Sequence, residues 1–103
     1  METIRERIKR LLLENLGKFY TANDIIAILG LDIRPNEVYK HIEHIAKTVN
    51  RQYSGKIEIV MQPPRCRRCG YVFKDLRKPR KPSRCPRCRS EWIEPPSFAA
   101  IMD

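Results

Sequence analysis

The chain has 103 residues, with 21 Lys and Arg against 12 Asp and Glu, and a formal net charge of +9. That length suits one domain, or a small domain carrying a smaller stapled module. No apolar stretch approaches the roughly 20 residues of a membrane helix, and Met1-Glu2-Thr3-Ile4-Arg5 lacks the apolar core of a signal peptide, so a soluble, cytoplasmic chain with no membrane partner is expected. The positive excess favours a polyanion or an acidic protein surface as partner.

The first half reads as three helices. Thr3 with Glu6 has the spacing of a capping box, and Ile4, Ile8, Leu11 and Leu12 recur on one helical face until Asn15 to Gly17 ends the run. Lys18-Phe19-Tyr20 suits a short extended segment. A second cap, Thr21 with Asp24, opens a helix through Ile25, Ile26 and Leu29 that Gly30 stops. Pro35 then takes a first-turn position, and Val38, Ile42, Ile45 and Val49 follow at helical spacing.

Helices two and three, joined by Gly30-Leu31-Asp32-Ile33-Arg34, have the outline of a helix-turn-helix. At 100° per residue, the face opposite the apolar stripe of the third helix carries Asn36, Lys40, His44, Lys47 and Arg51. These residue types contact base edges and phosphates in a major groove. Glu37 and Glu43 flank them and weaken phosphate attraction. Taken alone, the helix reads equally well as an amphipathic helix with a polar solvent side. His41 and His44 are expected as surface histidines rather than metal ligands, because four cysteines elsewhere already complete a tetrahedral shell.

After Gly55, Lys56-Ile57-Glu58-Ile59-Val60-Met61 alternates as a strand should, with Ile57, Ile59 and Met61 on one face, and Pro63 and Pro64 end it. Glu91-Trp92-Ile93-Glu94 is expected to return as its partner before Pro95 and Pro96. Two strands after a helix-turn-helix make a winged helix. The expected fold is therefore α+β, a winged helix-turn-helix over residues 1–64, a metal ribbon inserted in the wing at 65–89, and the returning wing strand and tail at 90–103. The tail Phe98-Ala99-Ala100-Ile101-Met102 is expected to complete the core rather than form a dimer contact.

Between the strands lie the only cysteines, Cys66, Cys69, Cys85 and Cys88, as two Cys-x-x-Cys pairs with 15 residues between the inner members. Each such turn aims two thiolates at one spot, and two facing turns close a four-sulfur shell, with metal–sulfur distances of about 2.3 Å for zinc. Gly70 relieves the first turn and Pro86 suits the second. Two disulfides are the alternative, disfavoured by the paired spacing and the absence of an export signal. From Arg65 to Arg89 stand eleven basic residues against Asp75 alone, a net +10. The rest, with 10 basic and 11 acidic residues, comes to −1. A solvated, solubilising face is the bland reading of such a run.

Cys66-Arg67-Arg68-Cys69-Gly70-Tyr71 and Cys85-Pro86-Arg87-Cys88 resemble the two metal-binding knuckles of rubredoxin. The whole chain is similar to a small archaeal family of predicted transcriptional regulators, in which a winged helix is fused to a rubredoxin-like zinc ribbon. The resemblance covers nearly the full length, and the knuckles are its specific part. It implies one structural Zn2+ on Cys66, Cys69, Cys85 and Cys88, and double-stranded DNA as partner. The third helix then reads the groove through Asn36, Lys40, His44, Lys47 and Arg51, while Arg77, Lys78, Arg80 and Lys81 of the ribbon hold phosphates.

Iron with electron transfer is the rival, since four-sulfur sites accept either metal. The interval between the pairs is short for a rubredoxin, Arg89 stands where a glycine is expected, and the surround is cationic. Nothing resembles a nucleophile elbow, a phosphate-cradling glycine loop or a paired-carboxylate site, so no enzymatic activity is expected. Two other partners stay open. One is RNA, with Tyr71 and Phe73 stacking on bases, although aromatics beside a knuckle more often pack on it. The other is a protein of the transcription machinery, docked on the nearly neutral helical part. Dimerisation, common among helix-turn-helix regulators, is compatible with the pattern.

Overall fold

The helices form where their caps and stripes direct. In the computed structural model, which describes residues 1–103, the Thr3 hydroxyl accepts a hydrogen bond from the Glu6 N–H at 3.1 Å and starts α1 (Ile4–Glu14). Only half of the expected capping box forms there, because the Glu6 carboxylate takes the Thr3 hydroxyl, at 3.2 Å, instead of the backbone. Tyr20–Thr21 is a short strand, β1, which takes only Tyr20 of the expected extended segment Lys18-Phe19-Tyr20. At α2 (Ala22–Leu29) the box is complete: the Thr21 hydroxyl accepts from the Asp24 N–H and the Asp24 carboxylate accepts from the Thr21 N–H. Gly30, at φ 63°, ends α2 in the left-handed region that glycine tolerates best. Pro35 opens α3 (Pro35–Gln52).

These helices converge on one core. Ile8 and Leu12 of α1, Ile25 of α2, and Val38, Ile42, Ile45 and Val49 of α3 are buried together with Phe98. Each such side chain contributes about 1.5–3 kcal/mol through the apolar surface it removes from water. Polar bonds fix the helices at the margin. The Arg7 guanidinium donates to the Leu29 carbonyl at 2.7 Å, and Arg5 Nε donates to His41 Nδ1 at 3.1 Å.

The strands form two sheets in one register. β2 (Ile57–Gln62) pairs antiparallel with a C-terminal strand, β5 (Ser97–Met102), from Ile57 opposite Met102 to Gln62 opposite Ser97. β1 closes the other edge of β5, with Tyr20 opposite Phe98. Farther along, β3 (Arg65–Cys66) pairs with β4 (Ile93–Glu94), Arg65 opposite Glu94 and Cys66 opposite Ile93. Both sets of partners continue one numbering offset, so β2–β3 and β5–β4 trace a single hairpin. It is interrupted only where Pro63 and Pro64 face Pro95 and Pro96. Proline has no N–H to donate, so the ladder cannot run through the gap. Pro64 and Pro96 are instead fully buried, and the Pro64 carbonyl accepts from the Phe73 N–H at 3.0 Å.

This register corrects one expectation. Glu91-Trp92-Ile93-Glu94 is not the partner of 56–61, because the same hairpin offset brings it opposite residues 65 to 68. The return strand of the larger sheet is the tail itself, where Phe98, Ala99 and Ala100 are buried. The tail completes the core, as its apolar run suggests, and Ile57, Ile59 and Met61 pack against that core from the predicted face. No helix is long and apolar enough to cross a membrane.

Candidate metal centre and basic face

The two Cys-x-x-Cys turns are built alike. Cys66 donates its N–H to the Tyr71 carbonyl at 2.8 Å, while its own carbonyl accepts from the Gly70 N–H at 2.9 Å. Cys85 repeats the pattern, donating to Ser90 at 2.9 Å and accepting from Arg89 at 2.8 Å. The residue after each turn lies in the left-handed region, Gly70 at φ 81° and Arg89 at φ 62°. At the second turn a side-chain-bearing residue therefore holds a conformation that glycine adopts without steric cost.

Facing one another, the turns bring all four sulfurs within 4.8 Å. Cys66 Sγ lies 3.5 Å from Cys88 Sγ, and Cys69 Sγ lies 3.6 Å from Cys85 Sγ. A tetrahedron with metal–sulfur bonds of about 2.3 Å has edges of about 3.8 Å, so the separations fit one four-sulfur-coordinated ion. Backbone dipoles prepare the sulfurs for it. The N–H groups of Cys69 and Arg68 hold Cys66 down to about 6. Burial raises Cys85, but the N–H groups of Cys88 and Arg87 outweigh it and lower the thiol. Cys69 receives the Tyr71 N–H, yet burial and the three neighbouring sulfurs push it up to about 11. Four thiolates in one small volume repel, and a cation at their centre removes the conflict. Four cysteine ligands complete a tetrahedral shell and leave no open position on the ion.

Around the sulfurs the apolar lining is thin. Cys66, Cys85 and Ile93 are buried, and Tyr71 and Phe73 pack against them with ring centroids 5.0 Å apart, edge to face. These two aromatics therefore serve the ribbon's interior. Trp92 does the reverse: its indole is 62% exposed. Trp92 is expected from sequence only as part of a strand; a lone tryptophan with a glutamate on each side, Glu91 and Glu94, is the sequence signal for its exposure.

Asn36, Lys40, His44, Lys47 and Arg51 are all exposed along α3. Arg77, Lys78, Arg80 and Lys81 are exposed on the ribbon. The segment carrying them lies along α3. A groove of about 440 Å³ has Ile42, Ala46, Ile59 and Met61 in its lining, with His44 and Lys47 on the helix side and Arg77 and Lys78 on the ribbon side. A second groove joins Asn36 and Arg34 to Lys81. Six of the nine predicted contact residues thus come together in pairs across the two elements, while Lys40, Arg51 and Arg80 stand exposed outside these grooves. Arg34, just before α3, joins them without having been singled out. His41 faces α1, and burial together with Arg5 lowers its pKa.

Residues 3–55 match the family model described as "PF0610-like, N-terminal", and residues 63–100 match "PF0610 rubredoxin-like zinc beta-ribbon domain". The solution NMR structure of protein PF0610 from Pyrococcus furiosus is similar over the whole chain, at 28% identity and a TM-score of 0.71. The match covers 100% of this chain and 95% of that one. No curated protein matches. With an N-terminal helical part and a four-cysteine ribbon both matched in chain order, this protein belongs to the PF0610-like family.

Proposed function

We propose that the protein is a DNA-binding transcriptional regulator. On this reading α2 and α3 are a helix-turn-helix, the β2–β5 hairpin is its wing, and the ribbon extends the wing's tip. α3 enters the major groove with Asn36, Lys40, His44, Lys47 and Arg51, while Arg77, Lys78, Arg80 and Lys81 hold the flanking phosphates. The supporting observation is the groove that sets His44 and Lys47 opposite Arg77 and Lys78. One duplex meets both sets of cations at once if it lies along α3.

We read the metal as one structural Zn2+, supported by the sulfur geometry and by the zinc ribbon family that residues 63–100 match. It folds the ribbon and takes no part in chemistry, and the protein is not an enzyme. Iron is the alternative: a red protein that bleaches on reduction would establish it, and a colourless one holding one equivalent of zinc would refute it.

The test is selection of fragments from the host's genomic DNA at low and moderate salt. A regulator enriches a sequence motif, whereas binding that salt abolishes and that shows no motif indicates a general nucleic-acid clamp. If about five ribbon charges contact phosphate, they contribute a slope of roughly −4.5 to log affinity against log salt. Replacing Arg77, Lys78, Arg80 and Lys81 with Gln flattens that slope, and an unchanged slope removes the ribbon from the interface.

A second reading is a protein adaptor of the transcription machinery. The −1 charge outside residues 65–89 and the exposed Leu16, Phe19 and Ile28 favour it. Failure to bind any fragment at either salt selects this reading.

A further inference from the structure

We infer that the ribbon carries a second nucleic-acid site, a stacking platform for an unpaired base of a single strand, formed by Trp92 and Arg67. Apart from the terminal Met1, Trp92 is the most exposed large apolar side chain of the protein. Tryptophan is highly buried on average, and here the exposed ring stands beside a guanidinium group instead of packing into the core. Trp92 is rigid at its backbone. Its carbonyl accepts from the Arg67 N–H at 2.9 Å, and its N–H donates to Ser90 Oγ at 3.1 Å. With its backbone anchored in advance, Trp92 gives up less freedom when a ligand stacks on its ring.

The charges around the indole select the ligand. Glu91 and Glu94 flank Trp92 in sequence, yet each has an arginine near it, Arg84 at 3.9 Å from Glu91 and Arg65 at 3.1 Å from Glu94. Arg67 has no carboxylate partner, and its guanidinium carbon stands 6.0 Å from the indole centroid. Arg68, Arg87 and Arg89, on the two cysteine turns, are likewise exposed and without an ion pair. An aromatic face beside the unopposed Arg67 guanidinium, on a strongly basic ribbon, matches a base and its phosphates together, the combination that binds single strands with little sequence preference. Tyr71 and Phe73 are committed to the metal module, so the stacking expected of them passes to Trp92. This site rests on the ribbon alone and is independent of whether α3 reads duplex DNA.

Trp92 is the only tryptophan, so its fluorescence, excited at wavelengths where the tyrosines absorb little, reports on this site. The metal-loaded full chain is titrated with oligo(dT) and oligo(rU) at low salt, beside a duplex as reference. Stacking predicts quenching by a single strand beyond that produced by the duplex. Equal quenching by both oligomers places recognition in base and phosphate, and quenching by one alone identifies which nucleic acid the site takes. By anisotropy of labelled oligomers, Trp92→Ala weakens single-strand binding roughly 5- to 150-fold, the range of losing one stacked base. Trp92→Phe keeps most of the affinity, and both variants retain one equivalent of metal, which separates lost stacking from an unfolded ribbon. Single-strand binding that leaves the emission unchanged, or that Trp92→Ala leaves intact, overturns the proposal. So does an indole that responds only to a protein partner or to self-association.

Discussion

The helical part and the ribbon hold themselves together by different means. In the helical part and its sheet, twelve buried residues from α1, β1, α2, α3 and β5 form one apolar cluster. The ribbon has three buried residues in its own cluster, and two of them are cysteines. One region rests on water released from apolar surface; the other buries little such surface and instead sets four sulfurs where they can bind one metal ion. Yet the two share one hairpin register, with paired prolines marking the change from one regime to the other. The proposed function follows the same division: the helical region presents α3, and the ribbon presents most of the charge.

The largest effect that sharpens this comparison comes from removing a sulfur. Cys69→Ser, or chelation of the metal, is expected to unfold the ribbon while leaving most of the helical circular dichroism. In a two-dimensional amide spectrum, resonances of residues 65–94 collapse while those of α1, α2 and α3 stay dispersed. Simultaneous loss of both sets would show that the regions fold as one unit. The converse experiment is Phe98→Ala. Phe98 is 1% exposed and packs at a tilt on Tyr39, with centroids 6.0 Å apart. Its removal should cost about 3–5 kcal/mol in denaturant unfolding of the helical part. Metal content should remain at one equivalent.

Smaller changes test each region's local devices. Thr21→Ala removes the hydroxyl that accepts the Asp24 N–H and is expected to destabilise α2 by about 1 kcal/mol, read as a Tm lower by several degrees. No change in Tm would mean that α2 is held by packing alone. Arg89→Gly acts in the opposite direction. It relieves a left-handed residue and is expected to raise ribbon stability by up to about 1 kcal/mol, measured as resistance to unfolding at fixed chelator concentration. A less stable Gly variant would assign the Arg89 side chain a supporting contact that outweighs the strain.

Much of the helical part was legible because its determinants are local. A threonine three residues before an acid, an apolar stripe and a glycine or proline at a boundary all act within one or two turns. Even so, Glu6 turned to the Thr3 hydroxyl rather than to the backbone, a choice between two nearby donors that spacing cannot distinguish. The cysteine pairs were equally legible, since their spacing encodes the turn that aims both sulfurs. The partner of β2 was harder. Glu91 to Glu94 and the tail each look like a strand, and only the offset inherited through the proline pairs puts Ser97–Met102 beside Ile57–Gln62.

Composition and spacing by themselves determined three helices, a four-sulfur metal site and a concentration of charge between Arg65 and Arg89, because each depends on neighbours a few residues away. Tertiary structure decided which strand closes the core, that the Arg77–Lys81 segment lies along α3, and that Trp92 faces solvent while Tyr71 and Phe73 do not. Those outcomes depend on contacts between residues tens of positions apart, where competition for one buried volume settles which side chains enter it and which remain in water.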